Sequence, residues 1–150
     1  MSEHLATISW KRSSAEYSAE TYNRGHEWKF DSGVVVPASA SPLYRGDADR
    51  VDPEEALVAA LSSCHMLTFL FEAARKKLVV DSYEDAAVGV MTKNERGKLW
   101  ISRVTLRPKV SFGGTRQPSA EELAALHEHA HANCFIAQSV KTEVLIESQP

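Results

Sequence analysis

The first third of the chain alternates between apolar and polar positions, as strands with one buried face do. In the first such segment Ala6, Ile8 and Trp10 fall on one side. Residues 13–22 are polar and weakly patterned, and suit a loop or a further short strand. The alternation predicts half-buried strands joined as a small antiparallel meander, with a turn at residues 31–33. The predicted strands are residues 4–12, 27–31 and 34–36.

The longest apolar segment, residues 56–71, contains no charged residue, glycine or proline. Asp52 and Glu55 form a predicted capping box, and Pro53 suits the first helical position. We therefore expect a central helix from Pro53 to about Lys77, with most of its surface buried because it is apolar on nearly all sides. Polar residues interrupt it and argue against a bilayer span: Ser62, Ser63, His65 and Thr68.

The remaining pattern predicts a long loop, a hairpin, a second helix and a last strand. Residues 37–51 form the irregular loop, of a length typical of loops that cover a site. The hairpin has a register change near Ser102. Ser119 and Glu122 form a second capping box, which opens a helix that ends near Cys134. The hairpin arms are residues 79–93 and 98–111, and the last strand is 140–147.

Composition narrows the class of protein. A chain of 150 residues with this element order predicts a single α+β domain, residues 1–150, with mainly antiparallel pairing. The formal net charge of −3 gives no electrostatic reason to expect nucleic acid or an anionic membrane as a partner. Because no apolar leader opens the sequence and only two cysteines occur, we expect a reducing, cytoplasmic location.

Cys64 is the first candidate for chemistry, although a free cysteine in an apolar helix is often only a core residue. A thiol reacts as its thiolate, and only ~3% of an ordinary thiol is ionised at pH 7. The apolar segment carries no cation, so a reactive Cys64 requires one from elsewhere in the fold. The candidates are Arg24, Arg45 and Arg50.

A family resemblance rests on this segment. The stretch from Asp52 to Cys64 resembles the first-cysteine signature of the OsmC/Ohr family of osmotically inducible and organic hydroperoxide resistance proteins, with the same spacing from Glu54 to Cys64. Cys134 matches the second family cysteine, and Arg24 matches an arginine that precedes an early strand. The resemblance implies an intertwined homodimer in which curved antiparallel sheets surround two buried helices.

The resemblance also implies a cysteine-based peroxidase without a bound cofactor. Cys64 would attack a hydroperoxide, most often an organic one, and become a sulfenic acid. Cys134 would then form a disulfide with it, Arg24 would hold the Cys64 thiolate, and Glu54 would orient Arg24. An external dithiol, in this family often of the lipoyl type, would reduce the disulfide.

Glu54 and Cys64 are ten residues apart on the predicted helix, which corresponds to about 15 Å of rise. A glutamate side chain does not reach that far along its own helix. Either Arg24 bridges the gap, or Glu54 of a second subunit completes the site. We favour the second alternative, in which Cys64 and Cys134 of one chain meet Arg24 and Glu54 of the other.

Two alternatives belong to other classes of function. Residues 127–131 match the H-E-x-x-H pattern, which places His127 and His131 on one helix face as possible zinc ligands, with Glu128 as a general base. The sequence offers no further histidine downstream as a third ligand. The other alternative is a non-catalytic binding protein of the same fold, in which Cys64 is inert.

Overall fold

The computed structural model describes residues 1–149 and has an α+β architecture, as predicted. The chain divides into two compact units, Met1–Ala56 and the segment from Leu57 onward. The prediction of one domain over residues 1–150 stays a prediction. In chain order, the strands and helices are β1 (Ala6–Ser9), β2 (His26–Phe30), β3 (Val35–Ala38), α1 (Pro53–Arg75), β4 (Val79–Asp85), β5 (Val88–Lys93), β6 (Leu99–Leu106), β7 (Pro108–Gly113), α2 (Ala120–Asn133) and β8 (Glu143–Ile146).

The first unit contains the predicted meander. β1, β2 and β3 pair in that order and are antiparallel throughout. Gly33 closes the turn between β2 and β3 with a φ of 85°, a conformation that glycine adopts without strain. The strand β1 is shorter than predicted and all four of its residues are exposed, so the expectation of a half-buried first strand is wrong for the single chain. Residues 13–22 are bends and turns without a strand.

The predicted long loop, residues 37–51, is tied at both ends. Ala38 forms a parallel bridge with Val51, and a 3₁₀ turn spans Pro42–Tyr44. The buried Ser39 hydroxyl donates to the Asp47 carboxylate. Gly46 lies so close to the backbone of Ala40 that a Cβ there would overlap it, so this close approach requires glycine.

The capping box of α1 is present. The Glu55 backbone N–H donates to Asp52 Oδ1 at 2.8 Å, and the Asp52 N–H donates to Glu55 Oε2 at 3.3 Å. The helix ends two residues before the predicted Lys77, because Lys77 takes a left-handed conformation with φ of 57°. By length and composition alone α1 is long and apolar enough to cross a membrane, contrary to the prediction. A core helix of a water-soluble domain passes the same test.

Only one side of α1 is buried, so the expectation that most of its surface is covered is wrong for the single chain. The buried side chains repeat at helical spacing: Leu61, His65, Phe69, Glu72 and Ala73. On other faces, Leu67 is 61% exposed and Phe71 is 64% exposed. Apolar side chains of this size are seldom left in water without a reason when several lie on one helix.

The predicted hairpin is present, but its two long arms are each divided between two sheets. β5 pairs with β6 and β4 pairs with β7, all antiparallel, and the sheets separate where the chain passes Ala87 and Arg107. The register between β5 and β6 shifts as predicted, with Val90 opposite Arg103 and Met91 opposite Ile101, so that Ser102 is the extra residue. The last strand β8 adds to β6 in parallel.

The helix α2 begins with the predicted capping box at Ser119 and Glu122. Its buried residues Leu126 and Ala130 pack with Phe69 and Ala73 of α1 in one hydrophobic cluster. A second cluster joins Leu61 of α1 to the inner face of β6. The second unit therefore packs α1 against α2, and side chains of its strands complete both clusters.

Replacement of Phe69 by alanine tests this core. Phe69 is fully buried and its ring contacts Tyr83, Phe112 and His127, so Phe69→Ala should lower the free energy of unfolding by about 3–5 kcal/mol. Equilibrium unfolding in urea measures this change in the free energy of unfolding. A loss below about 1 kcal/mol would contradict the packing described.

The matched control is Phe71→Ala in the same helix, which should cost no more than about 0.5 kcal/mol in a single chain because this ring is exposed. A larger cost that grows with protein concentration would show that a second copy covers Phe71.

Candidate active site

The two cysteines lie together in the second unit. Cys64 is half-buried in α1, and Cys134 is 1% exposed at the C-terminal cap of α2. Both are free thiols, and they are close enough for the Cys64 side chain to raise the pKa of Cys134. The Ala137 backbone N–H donates to Cys134 Sγ at 3.4 Å and orients this sulfur. A thiol pair brought together by two facing helices is suited to disulfide chemistry.

The two thiols have unequal surroundings. Burial, and after it the neighbouring Cys64 side chain, raises the pKa of Cys134 to about 11. Cys134 is therefore a neutral thiol at neutral pH and is shielded from solvent. Cys64 is the more accessible of the two, as a residue that meets a dissolved oxidant first must be.

Arg24 lies in the first unit, in the segment that leads into β2. Its guanidinium donates to the backbone carbonyls of Ala19, Glu20 and Tyr22 and stacks on the Tyr22 ring at 4.1 Å from the ring centroid. These contacts fix the guanidinium in one place by anchoring it to the turn before it. A fixed and permanently charged donor is suited to binding an anion.

Arg24 and Glu54 line the same pocket of the first unit, which has a volume of about 410 Å³. Most of the other lining side chains are aromatic or apolar. Trp10, Tyr17 and Tyr22 pack in sequence with tilted rings, whose centroids are about 6 Å apart. Within residues 1–149, Arg24 and Glu54 do not form an ion pair. The implied orientation of Arg24 by Glu54 thus stays a prediction, and the backbone carbonyls hold Arg24 instead.

Sequence reasoning missed this aromatic wall. Tyr17 and Tyr22 fall in the weakly patterned residues 13–22, where no periodicity indicates which side chains meet. The only available signal was the number of aromatic residues close together in a polar segment. The pocket volume and lining are of the kind that binds small organic molecules.

The other two candidate cations have different surroundings. Arg50 forms an ion pair with Asp47 at 3.7 Å, and Arg45 is the left-handed residue that ends the 3₁₀ turn. Both line a larger, polar pocket of the first unit, to which Arg24 also contributes. Of the three arginines, only Arg24 therefore also lines the aromatic pocket.

The zinc alternative is not supported by the geometry. In residues 1–149 no group of three or more His, Cys, Asp or Glu side chains is arranged to hold a metal ion. His127 Nδ1 instead forms a hydrogen bond with His65 Nε2 at 3.1 Å, and Glu128 is exposed. A zinc ion that is bound by protein ligands alone needs about four ligands around one point. The H-E-x-x-H match does not bring such a set of ligands together.

Comparisons with known proteins give consistent results. A family model described as OsmC-like protein matches residues 46–149. An OsmC-like protein of unknown function from Vibrio cholerae is 49% identical, covers 99% of this chain and 100% of its own, and superposes with a TM-score of 0.96. A search of curated proteins finds no match.

More distant structures share the fold alone. An organic hydroperoxide resistance protein from Elizabethkingia anophelis is 17% identical, with coverage of 99% of this chain and 94% of its own and a TM-score of 0.73. The organic hydroperoxide resistance protein OhrB of Bacillus subtilis is also 17% identical, with 98% coverage of both chains and a TM-score of 0.69.

The difference between the two thiols can be measured by alkylation. At pH 8 a thiol with a pKa near 11 is only about 0.1% ionised, and Cys134 is also buried. Iodoacetamide should therefore modify Cys64 at least tenfold faster than Cys134 in the reduced native protein, as measured by peptide mass spectrometry. The two rates should converge in urea, and equal rates in the native protein would contradict the description.

Proposed function

Because the chain belongs to the OsmC-like family, we propose that it is a cysteine-based peroxidase that reduces organic hydroperoxides. The observation that carries the proposal is the pairing of an accessible thiol, Cys64, with a buried thiol, Cys134, on two facing helices. Several structures of the same fold are named organic hydroperoxide resistance proteins, which agrees with this chemistry.

The first half of the reaction occurs at Cys64. Its thiolate attacks the terminal peroxide oxygen, the O–O bond breaks, and the organic part leaves as an alcohol after it takes up a proton. Cys64 is oxidised to a sulfenic acid and the peroxide is reduced. Arg24 supplies the positive charge that favours the thiolate, with Glu54 beside it in the same pocket.

The second half of the reaction uses Cys134. Its sulfur attacks the sulfenic sulfur of Cys64, the S–O bond breaks, and the hydroxyl leaves as water with the proton of the Cys134 thiol. Because burial keeps Cys134 protonated, its thiol must give up this proton as the sulfur attacks, and the proton leaves with the hydroxyl as water. An external dithiol then reduces the Cys64–Cys134 disulfide, and a lipoyl-type compound is one such donor.

The pocket of the first unit supports an organic substrate. Its aromatic wall provides apolar contacts that hydrogen peroxide cannot use, whereas the organic part of a hydroperoxide can. Arg24 on the same wall is suited to holding the polar peroxide end. Such a division of roles, with apolar walls and a few polar groups that orient the ligand, is general in small-molecule sites.

A homodimer is part of the proposal. The exposed apolar side chains on and near the two helices, Leu67, Phe71 and Phe135, need a cover, and Phe135 is 82% exposed in the single chain. A second copy provides that cover without any other partner. It also supplies the means by which Arg24 and Glu54 of one chain serve Cys64 of the other.

Addition of one equivalent of cumene hydroperoxide to the reduced protein tests the chemistry. We expect the loss of two thiols and a mass decrease of about two hydrogens, as disulfide formation gives. Cys134→Ser should stop at a sulfenic acid, and Cys64→Ser should not respond. If both thiols survive in the parent protein, the non-catalytic binding alternative becomes the better description.

Mixing two inactive variants tests whether the site is shared. Cys64→Ser and Arg24→Ala should each be inactive alone. After subunit exchange at equal amounts, half of the dimers are mixed and each mixed dimer has one intact site, so about a quarter of the parent activity should return. Proven exchange without activity would mean that each chain assembles its own site. Cys64→Ser mixed with Cys134→Ser is the control, because these variants cannot complement if both cysteines come from one chain.

A further inference from the structure

A buried pair of histidines joins the two helices that carry the cysteines. His65 of α1 and His127 of α2 are 1% and 5% exposed. Their rings stack at 5.4 Å between centroids with an angle of 9° between planes, and His65 Nε2 lies 3.1 Å from His127 Nδ1. Phe69 packs on the His127 ring at 4.6 Å and keeps the pair away from water.

This contact requires that at least one ring be neutral. One imidazole nitrogen donates its hydrogen and the other accepts it, and an imidazolium has no acceptor. If both rings bind a proton, both facing nitrogens become donors, so the hydrogen bond is lost and two stacked rings repel each other. The outer nitrogens, His65 Nδ1 and His127 Nε2, are buried and have no partner within residues 1–149. A proton added there therefore creates an uncompensated buried charge.

The titratable groups around the pair do not supply that compensation. His131 of α2 adds a further positive charge when protonated, and Asp85 of β4 is the acid that acts on His127. Asp85 already accepts from Ser62 and from the Arg107 backbone N–H.

The remaining neighbours of the pair do not supply a negative charge to it either. The β7 residues that pack on this cluster, Val110 and Phe112, are apolar. The other titratable or charged groups nearby are Tyr83 of β4, and Glu72, which binds Arg75 and faces His129.

The surroundings act on both rings in the same direction. Burial, together with the charges of His127 and His131, lowers the pKa of His65 to about 4. Burial lowers the pKa of His127 to about 4, against the opposing effect of Asp85. Because the packed form binds protons less readily than the opened form, the packing should be fully stable above about pH 6.5. It should weaken as the pH falls toward 4.

The pair is placed where it controls the approach of the two sulfurs. His65 follows Cys64 directly, and His127 precedes Cys134 by two turns of α2, about 10 Å along the helix. We infer that His65 and His127 are positioning residues that hold Cys134 against Cys64, and that their protonation in acid releases α2 and prevents the disulfide. This role rests on the proposed function, and it adds an acid-sensitive control to the second half of the reaction.

Hydrogen exchange tests the release of α2 without any peroxide. The parent protein, kept reduced, is exchanged between pH 7 and pH 4.5, and each rate is corrected for the intrinsic pH dependence of exchange. Two protons taken up on opening should lower the protection of the α2 amides on the order of 100-fold between pH 7 and pH 5. Unchanged protection over this range overturns the inference.

A matched variant, His65→Gln with His127→Asn, separates titration from packing. The glutamine amide replaces His65 Nε2 and the asparagine amide replaces His127 Nδ1, so a hydrogen bond can form between groups that do not titrate. In this variant the α2 protection should not depend on pH between 7 and 5. An equal loss of α2 protection in the parent protein and in the variant overturns the inference. If the variant does not fold, exchange in the parent protein still decides.

Diamide-driven disulfide formation connects the release to the cysteines. Diamide oxidises thiols directly, so the experiment is informative even if the protein does not reduce peroxides. Each rate of Cys64–Cys134 disulfide formation is divided by the rate of the same protein at pH 7, which removes the shared dependence on thiolate. We expect this relative rate at pH 4.5 to fall at least tenfold further in the parent protein than in the variant. An equal fall of the relative rate in both proteins overturns the inference.

Discussion

The packing of α1 against α2 is the contact on which the rest of the second unit depends. Phe69 and Ala73 of α1 meet Leu126 and Ala130 of α2 in a cluster whose buried members are almost completely removed from water. Burial of side chains of this size is the main favourable term in folding. The same contact sets the position of both cysteines, because Cys64 lies on one helix and Cys134 ends the other.

Polar groups are built into this apolar contact, and they limit how the helices can pack. A buried histidine pair is costly unless its hydrogen bond is made, so it favours one register between the helices over others of similar apolar content. At the next turn of α1, Glu72 pairs with Arg75 of its own helix and lies 3.7 Å from His129 Nε2 of α2. The helix interface thus combines a general attraction with a few contacts of defined geometry.

The first unit shows a different arrangement. Its sheet is small and much of it is exposed, and its order comes from the tied loop 37–51 and from Arg24, which binds the carbonyls of the preceding turn. The aromatic pocket is lined by residues of this loop, of the turn before β2 and of the segment that includes Ile8 and Trp10. Loops held in place by a few buried hydrogen bonds are common sources of binding residues, because their side chains are not needed for a core.

Local rules were enough to predict much of this protein from its sequence. Both capping boxes, the meander, the paired arms after α1 and the bulge at Ser102 depend on residues close together in the chain, and the structure confirms them. The family was also recognisable, because the spacing of Glu54, Cys64 and Cys134 is a property of the sequence itself.

Tertiary structure decided the rest. The division of the hairpin between two sheets, the parallel pairing of β8 and the one-sided burial of α1 depend on contacts between distant residues, for which periodicity carries no information. The aromatic pocket and the stacked histidines were equally hidden, since nothing in the spacing of His65 and His127 shows that two helices bring their rings together. Sequence determined which residues are available for chemistry, and only folding determined which of them meet, because proximity in space arises from packing and not from order along the chain.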